Sequence, residues 1–207
     1  MLLTIHPDNP DARKIAQVID ILRKGGIIVY PTDTIYTFGC DLNNKKAIEK
    51  IARLKGVNPK EAHFSLVCYD LSHISEYSTD FSKSVFKMMK ATLPGPYTYI
   101  LNANKNVTRL FDFKKGTVGI RVPDNNIART LVKELGNPLI ATSVHDKNDP
   151  LREYLTDPEE IYERYYKHVD CVIDGGPGSL EASTVIDATG EEPELVREGK
   201  GEIEVIY

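Results

Sequence analysis

The chain has no apolar run approaching the ~20 residues a membrane-spanning helix needs. Its opening, Met1-Leu-Leu-Thr-Ile-His6, carries neither a basic leader nor a long apolar stretch, so no secretory signal, a cytoplasmic location and no membrane partner are expected. Cysteine is scarce: Cys40, Cys68 and Cys171 are odd in number, widely spaced and form no Cys-x-x-Cys pair. They read as reduced, partly buried thiols rather than disulfide or zinc ligands. The five histidines show no His-x-x-x-His spacing, so no protein-bound metal is expected. Positive charge is not in excess. A net charge of −4 excludes coating nucleic acid through bulk charge, though not a local basic cleft. Also missing are low-complexity tracts, internal repeats, a Gly-x-Ser-x-Gly elbow, a Cys-His nucleophile, a Walker A loop and Gly-x-Gly-x-x-Gly.

What is present fits one globular domain over residues 1–207, with 41% hydrophobic residues and a sizeable core. Asn9 with Pro10 predicts a helix start, and Ile15, Val18, Ile19 and Leu22 its apolar face, stopped at Gly25 or Gly26. The spacing predicts further helices over 45–55, from a cap at Thr79 or Asp80 to Leu93-Pro-Gly-Pro96, over 127–135, and from Asp157-Pro-Glu-Glu160 to about residue 167. Short apolar runs predict strands at 27–30, 64–69, 97–101, 117–122, 138–142, 171–174, 184–187 and 194–197. This order predicts an α/β fold with a twisted mixed sheet flanked by helices. The polar stretch from His145 to Thr156 reads as a loop over a site.

Polar chemistry recurs at strand ends. Tyr30-Pro-Thr-Asp-Thr-Ile-Tyr36 places Thr32, Asp33, Thr34 and Tyr36 at a strand exit, where open α/β sheets bind ligands. Lys55 closes a helix. In Thr117-Val-Gly-Ile-Arg-Val-Pro123, alternation puts Thr117, Gly119 and Arg121 on one face. The Arg121 guanidinium wants a bidentate anion, either a ligand carboxylate or phosphate or a neighbouring Asp or Glu. Ser143 and His145 lie just past a strand, Asp174-Gly-Gly-Pro-Gly-Ser179 is glycine-rich, and Ser183 and Arg197 add a hydroxyl and another guanidinium. Hydroxyls and cations together suit a phosphorylated nucleotide and a carboxylate, with catalysis by positioning and charge stabilisation.

The ordered set Pro31-Thr-Asp-Thr-Ile-Tyr36, Lys55-Gly56, Leu93-Pro-Gly-Pro96, Thr117-Val-Gly-Ile-Arg-Val-Pro123, Ala141-Thr-Ser143, Gly175-Gly176, Ser183-Thr-Val-Ile-Asp187 and Leu195-Val-Arg197 resembles the YrdC/YciO family, and the opening Ile5-His-Pro-Asp-Asn-Pro10 and the ending Val196-Arg-Glu-Gly199 resemble the YciO branch. The resemblance implies a single α/β domain with a concave basic cleft. It also implies synthesis of threonylcarbamoyl-adenylate from threonine, bicarbonate and ATP with Mg²⁺, feeding a tRNA modification. No tightly bound cofactor is implied. Double-stranded RNA or tRNA binding is the alternative use of the cleft. Carried over by position, Thr32, Tyr36, Arg121 and Ser183 bind threonine. Lys55, Thr117, Ser143, His145 and Arg197 face ATP, and Lys55 and Arg121 act in catalysis.

This chain departs from the family pattern at four places. Lys-x-Arg is Lys55-Gly-Val57, Ser-x-Asn is Ser143-Val-His145, Tyr69 stands where a histidine is common, and Ala182 replaces a common Glu. Losing one transition-state donor costs ~10²–10³ in rate. The departures argue for a retained cleft and against efficient synthesis, with Arg53 and Lys60 as candidates to replace the missing guanidinium. A nucleotide-dependent enzyme acting on a different small carboxylate is a third reading.

Overall fold

In the computed structural model, residues 1–59, 62, 64–110, 116–145 and 154–204 are described. Strand β1 (Leu2–Thr4) leads into helix α1 (Ala12–Arg23), whose first turn is held by Asp11. The Asp11 carboxylate accepts the N–H groups of Arg13 and Lys14 at 2.8 and 3.1 Å, so the helix starts there and not at Asn9–Pro10. Ile15, Val18, Ile19 and Leu22 are buried as their spacing predicts. Strands β2 (Ile28–Tyr30) and β3 (Thr37–Asp41) follow, then α2 (Lys45–Lys55), capped by Asn44 and ended by left-handed Gly56.

Strand β4 (Ser65–Val67), the short α3 (Leu71–Ile74), α4 (Lys83–Thr92) and β5 (Tyr97–Asn102) come next. Ser82 caps α4, rather than Thr79 or Asp80: its hydroxyl accepts the Val85 N–H at 3.2 Å, while the Thr79 hydroxyl donates to the Asn102 carbonyl of β5. The chain continues through α5 (Lys105–Leu110), β6 (Thr117–Arg121), α6 (Asn126–Leu135) and β7 (Leu139–Ser143). Helix α7 (Pro158–Tyr165), capped by Asp157, precedes β8 (Cys171–Asp174), β9 (Thr184–Asp187) and β10 (Glu194–Arg197).

Among the described residues these make a single α/β domain with ten strands in one mixed sheet, ordered β1-β8-β2-β3-β7-β4-β6-β5-β9-β10, and seven helices. The register sorts the side chains into two faces. Cys40, Ile140, Leu66, Ile120, Tyr99 and Ile186 lie opposite one another across successive strands and are all buried. They join one core with Ile48 and Ile51 of α2, Val85 and Met89 of α4 and Ile161 of α7. Shifted by one residue, the row Gly39, Ala141, Ser65, Gly119, Ile100 and Asp187 faces the other way. Helices α1 and α6 cover one end of that second face, packing on Ile28, Tyr30, Val67, Leu139 and Ala141. The rest of the face lines a cavity. No helix among the described residues is long and apolar enough to cross a membrane.

Candidate functional site

The cavity holds about 480 Å³. Its floor is the polar face of the sheet, with Thr37, Ser65, Thr98, Thr117, Gly119, Ser143 and Asp187, and Arg121, Ser183 and Arg197 line it too. Glycine at position 119 is needed here, since a Cβ would sit 2.9 Å from the Ser65 hydroxyl.

The Pro31–Tyr36 turn is a hydrogen-bonded knot. Thr32 Oγ1 donates to the Ile35 carbonyl at 2.8 Å and accepts the Thr34 N–H at 3.1 Å. The Tyr36 hydroxyl donates to the Gly176 carbonyl at 2.6 Å and accepts the Gly175 N–H at 3.3 Å, tying the turn to the glycine-rich loop. Burial pushes this phenol above its usual range. Thr32 and Tyr36 are both buried and stand behind the cavity wall, while Ile35 and Thr37 line it.

Arg121 is held from the same turn. One of its terminal nitrogens donates to Asp33 Oδ1 at 2.8 Å and to Thr34 Oγ1 at 3.0 Å. The other Asp33 oxygen accepts the Asp124 N–H at 3.1 Å. The guanidinium therefore has a protein carboxylate as partner, one of the two possibilities its strand position allowed. Burial lowers the Arg121 pKa, and the Asp33 charge opposes that shift. The Arg121 Nε is buried with no partner.

Three cations donate to backbone carbonyls. Lys55, at the end of α2, donates to the Ser143 carbonyl at 2.8 Å. Arg197 donates to the Ser183 carbonyl at 2.8 Å, and Lys200 to the Asp33 carbonyl at 2.6 Å. The Ser183 and Thr98 hydroxyls are 2.7 Å apart. The structure thus gathers Lys55, Thr117, Arg121, Ser143, Ser183 and Arg197 about one cavity. His145 does not line it but stands against Tyr154, which does, with ring centroids 4.9 Å apart.

The departures from the family pattern also find their places. Val57 is exposed, and its N–H closes the end of α2 on the Ala52 carbonyl. Arg53 points to solvent beside Glu49, away from the cavity lining, and Lys60 lies outside the described residues. Tyr69 lies under Arg129 and Lys133, 5.3 and 5.5 Å from its ring centre. Ala182 lines the cavity. Of the loop over 145–156, residues 146–153 lie outside the described residues, and the flanking His145 and Tyr154 form a bridge.

Sequence reasoning missed Ser65, Thr98, Tyr154 and Asp187 as lining residues. Strand alternation held the signal for two of them. Thr98 shares a face with Ile100 within β5, and Asp187 shares one with Val185 within β9. Tyr154 follows no periodic pattern and carried no signal.

Fold and site together define an α/β protein whose sheet face opens into a cleft lined, among the described residues, by hydroxyls, guanidinium groups and the Asp187 carboxylate. The family model described as "Telomere recombination" (Sua5, YciO and YrdC proteins) matches residues 20–199, and the chain belongs to this family. It is 46% identical to YciO of Escherichia coli strain K12 over 201 residues, 96% of this chain and 95% of that protein. The crystal structure of E. coli YciO superposes with a TM-score of 0.91 at 42% identity, covering 100% of this chain and 99% of that one. A threonylcarbamoyl-AMP synthase of Photobacterium profundum is 28% identical over 174 residues, 83% of this chain and 92% of that protein. The structure of P. abyssi Sua5 complexed with L-threonine shares the fold, with a TM-score of 0.88 at 24% identity over 100% of this chain and 59% of that one.

Proposed function

We propose that the cleft binds ATP with its Mg²⁺, together with threonine and bicarbonate, and makes threonylcarbamoyl-adenylate for tRNA modification at a reduced rate. The observation that carries this reading is the union, in one cavity, of the hydroxyls of Thr98, Thr117, Ser143 and Ser183 with the guanidinium groups of Arg121 and Arg197. The synthase of P. profundum and the threonine-bound Sua5 support it by likeness.

In this reading the threonine amine combines with bicarbonate, losing water, to give a carbamate. A carbamate oxygen attacks the α-phosphorus of ATP, the bond to the β-phosphate oxygen breaks, and pyrophosphate leaves. Arg121, kept in place by Asp33, and Ser183 hold the threonine carboxylate. Thr32 and Tyr36 act from behind by fixing the turn. Lys55, Thr117, Ser143 and Arg197 face the nucleotide, with His145 acting through Tyr154. Lys55 and Arg197 offset charge on the phosphates as the reaction proceeds. Val57 supplies no cation, which removes one such donor.

The test is pyrophosphate release at saturating ATP, Mg²⁺, threonine and bicarbonate, against Lys55→Ala and Arg121→Ala proteins checked for folding by circular dichroism. Release above the variants supports the reading, and release no greater than theirs refutes it. A second reading, a duplex RNA or tRNA groove that uses the same cleft without this chemistry, is motivated by the two altered phosphate-side positions, Val57 and His145. It expects RNA binding that weakens steeply with salt, without pyrophosphate.

A further inference from the structure

Asp187 has no part in the chemistry above, although it ends the Ser183-Thr-Val-Ile-Asp187 motif and lies in the cavity floor. Among the described lining residues it is the one carboxylate, and it shares the cavity with several hydroxyls and the guanidinium groups of Arg121 and Arg197. Cross-strand register puts it opposite Ile100, in the row that runs through Gly119 to Ser65. On the same face, Thr98 of β5 lies opposite Val185, two residues back along β9, and Thr117 lies on β6, beyond β5.

The carboxylate is oriented. Oδ1 accepts the Thr189 N–H at 2.9 Å and the Thr189 hydroxyl at 2.6 Å. Oδ2 accepts no hydrogen bond among the described residues. Arg197 stands nearby on β10 but forms no ion pair with Asp187, donating instead to the Ser183 carbonyl. A fixed anionic oxygen in a site built for phosphate opposes the ligand unless a cation comes between them. Mg²⁺ is commonly held in this way, by one or two carboxylates plus the phosphates of its nucleotide.

We infer that Asp187 is the protein's ligand for the divalent cation that arrives with the nucleotide, through Oδ2, directly or across one water. The inference rests on the nucleotide-binding reading of the cleft. It makes Asp187 selective for the metal complex: the carboxylate attracts Mg²⁺-loaded nucleotide and repels the bare tetra-anion.

The test titrates α,β-methylene-ATP into the protein by calorimetry, once in EDTA and once with Mn²⁺, and follows bound Mn²⁺ by electron paramagnetic resonance. Asp187→Asn is the informative variant, because its amide oxygen still accepts both Thr189 donors and only the charge is lost. In the unmodified protein Mn²⁺ should tighten binding about fivefold or more, about fivefold being the scale of one attractive charge pair at ~4 Å in bulk water. In Asp187→Asn that gain should disappear, and metal-free binding should become tighter than in the parent. A purely structural role cannot produce opposite changes in the two titrations. If Asp187→Asn keeps the full Mn²⁺ gain, or the parent binds equally well with and without metal, the inference is wrong while the nucleotide reading stands. If the parent binds the analogue in neither condition, both fall.

Discussion

Replacing Asp33 by Asn should cost this protein far more stability than removing any of its surface ion pairs. The side chains of Arg121 and Asp33 are only 8% and 9% exposed, and their atoms are 2.8 Å apart. Breaking a buried pair by removing one partner costs about 3–5 kcal/mol, because the remaining charge stays in a poor solvent. The amide oxygen of Asn can still accept one hydrogen bond, so the low end, about 3 kcal/mol, is expected. For a chain of this size each kcal/mol moves the melting temperature by about 2–4 °C, giving a fall of roughly 6–12 °C. Urea unfolding and thermal melts followed by circular dichroism measure both quantities. Glu49→Gln is the internal control: its pair with Arg53 is 3.7 Å apart, with side chains 53% and 72% exposed. It should change stability by no more than about 0.5 kcal/mol. The double variant Asp33→Asn/Arg121→Met should lose less than the sum of the single changes, since no buried charge is then stranded. An Asp33→Asn loss as small as that of Glu49→Gln would refute the argument that this pair is desolvated and anchors the cleft.

Two further outcomes follow from the packing. Gly39→Ala should destabilise by about 1–3 kcal/mol through overpacking, read from the urea midpoint, because a Cβ there would come within 2.5 Å of the Tyr30 ring. His73 should make the fold acid-sensitive. Burial lowers its pKa below the reference 6.5, partly opposed by the charges of Glu76 and Asp70, and its Nδ1 accepts the Tyr69 N–H. The unfolded chain then binds the proton more readily, so stability is kept above pH 6.5 and lost as pH falls from there through the folded value. Urea midpoints at pH 7.5 and 5.5 should differ less in His73→Asn than in the parent, and an unchanged difference would clear His73 of that role.

Much of the fold was legible because its signals are local. The apolar spacing in α1 and α6, the left-handed glycines after α2 and α6, and the Asp157–Pro158 start of α7 are each written in a few adjacent residues. Strand β3 was not legible, since Gly39 and Thr37 interrupt its apolar pattern and only β2 and β7 on either side make it a strand. Strand β1 and helix α3, of three and four residues, are too short to show a period. At the site, Thr117, Arg121 and Ser183 could be placed from alternation and motif order. The burial of Tyr36 could not, because the hydroxyl that suggested ligand contact is satisfied by Gly175 and Gly176, about 140 positions along the chain. Which anion Arg121 would choose was likewise a tertiary matter, decided by the turn that brings Asp33 back over β6.

The parallel pairing of β5 with β9, with Tyr97 opposite Thr184, has a consequence for how the protein comes into being. During synthesis Lys55 and Arg121 emerge well before Ser183 and Arg197, so no cleft exists until the final strands reach the sheet edge. Such distant pairings must close their loop before any contact offsets the lost entropy, and so are slow to form. The early strands must therefore wait with an unpaired edge, exposed to wrong partners, until β9 arrives. A ligand held by both Arg121 and Arg197 would join the first-made wall to the last-made one, and so secure the finished chain against reopening along the seam where it closed.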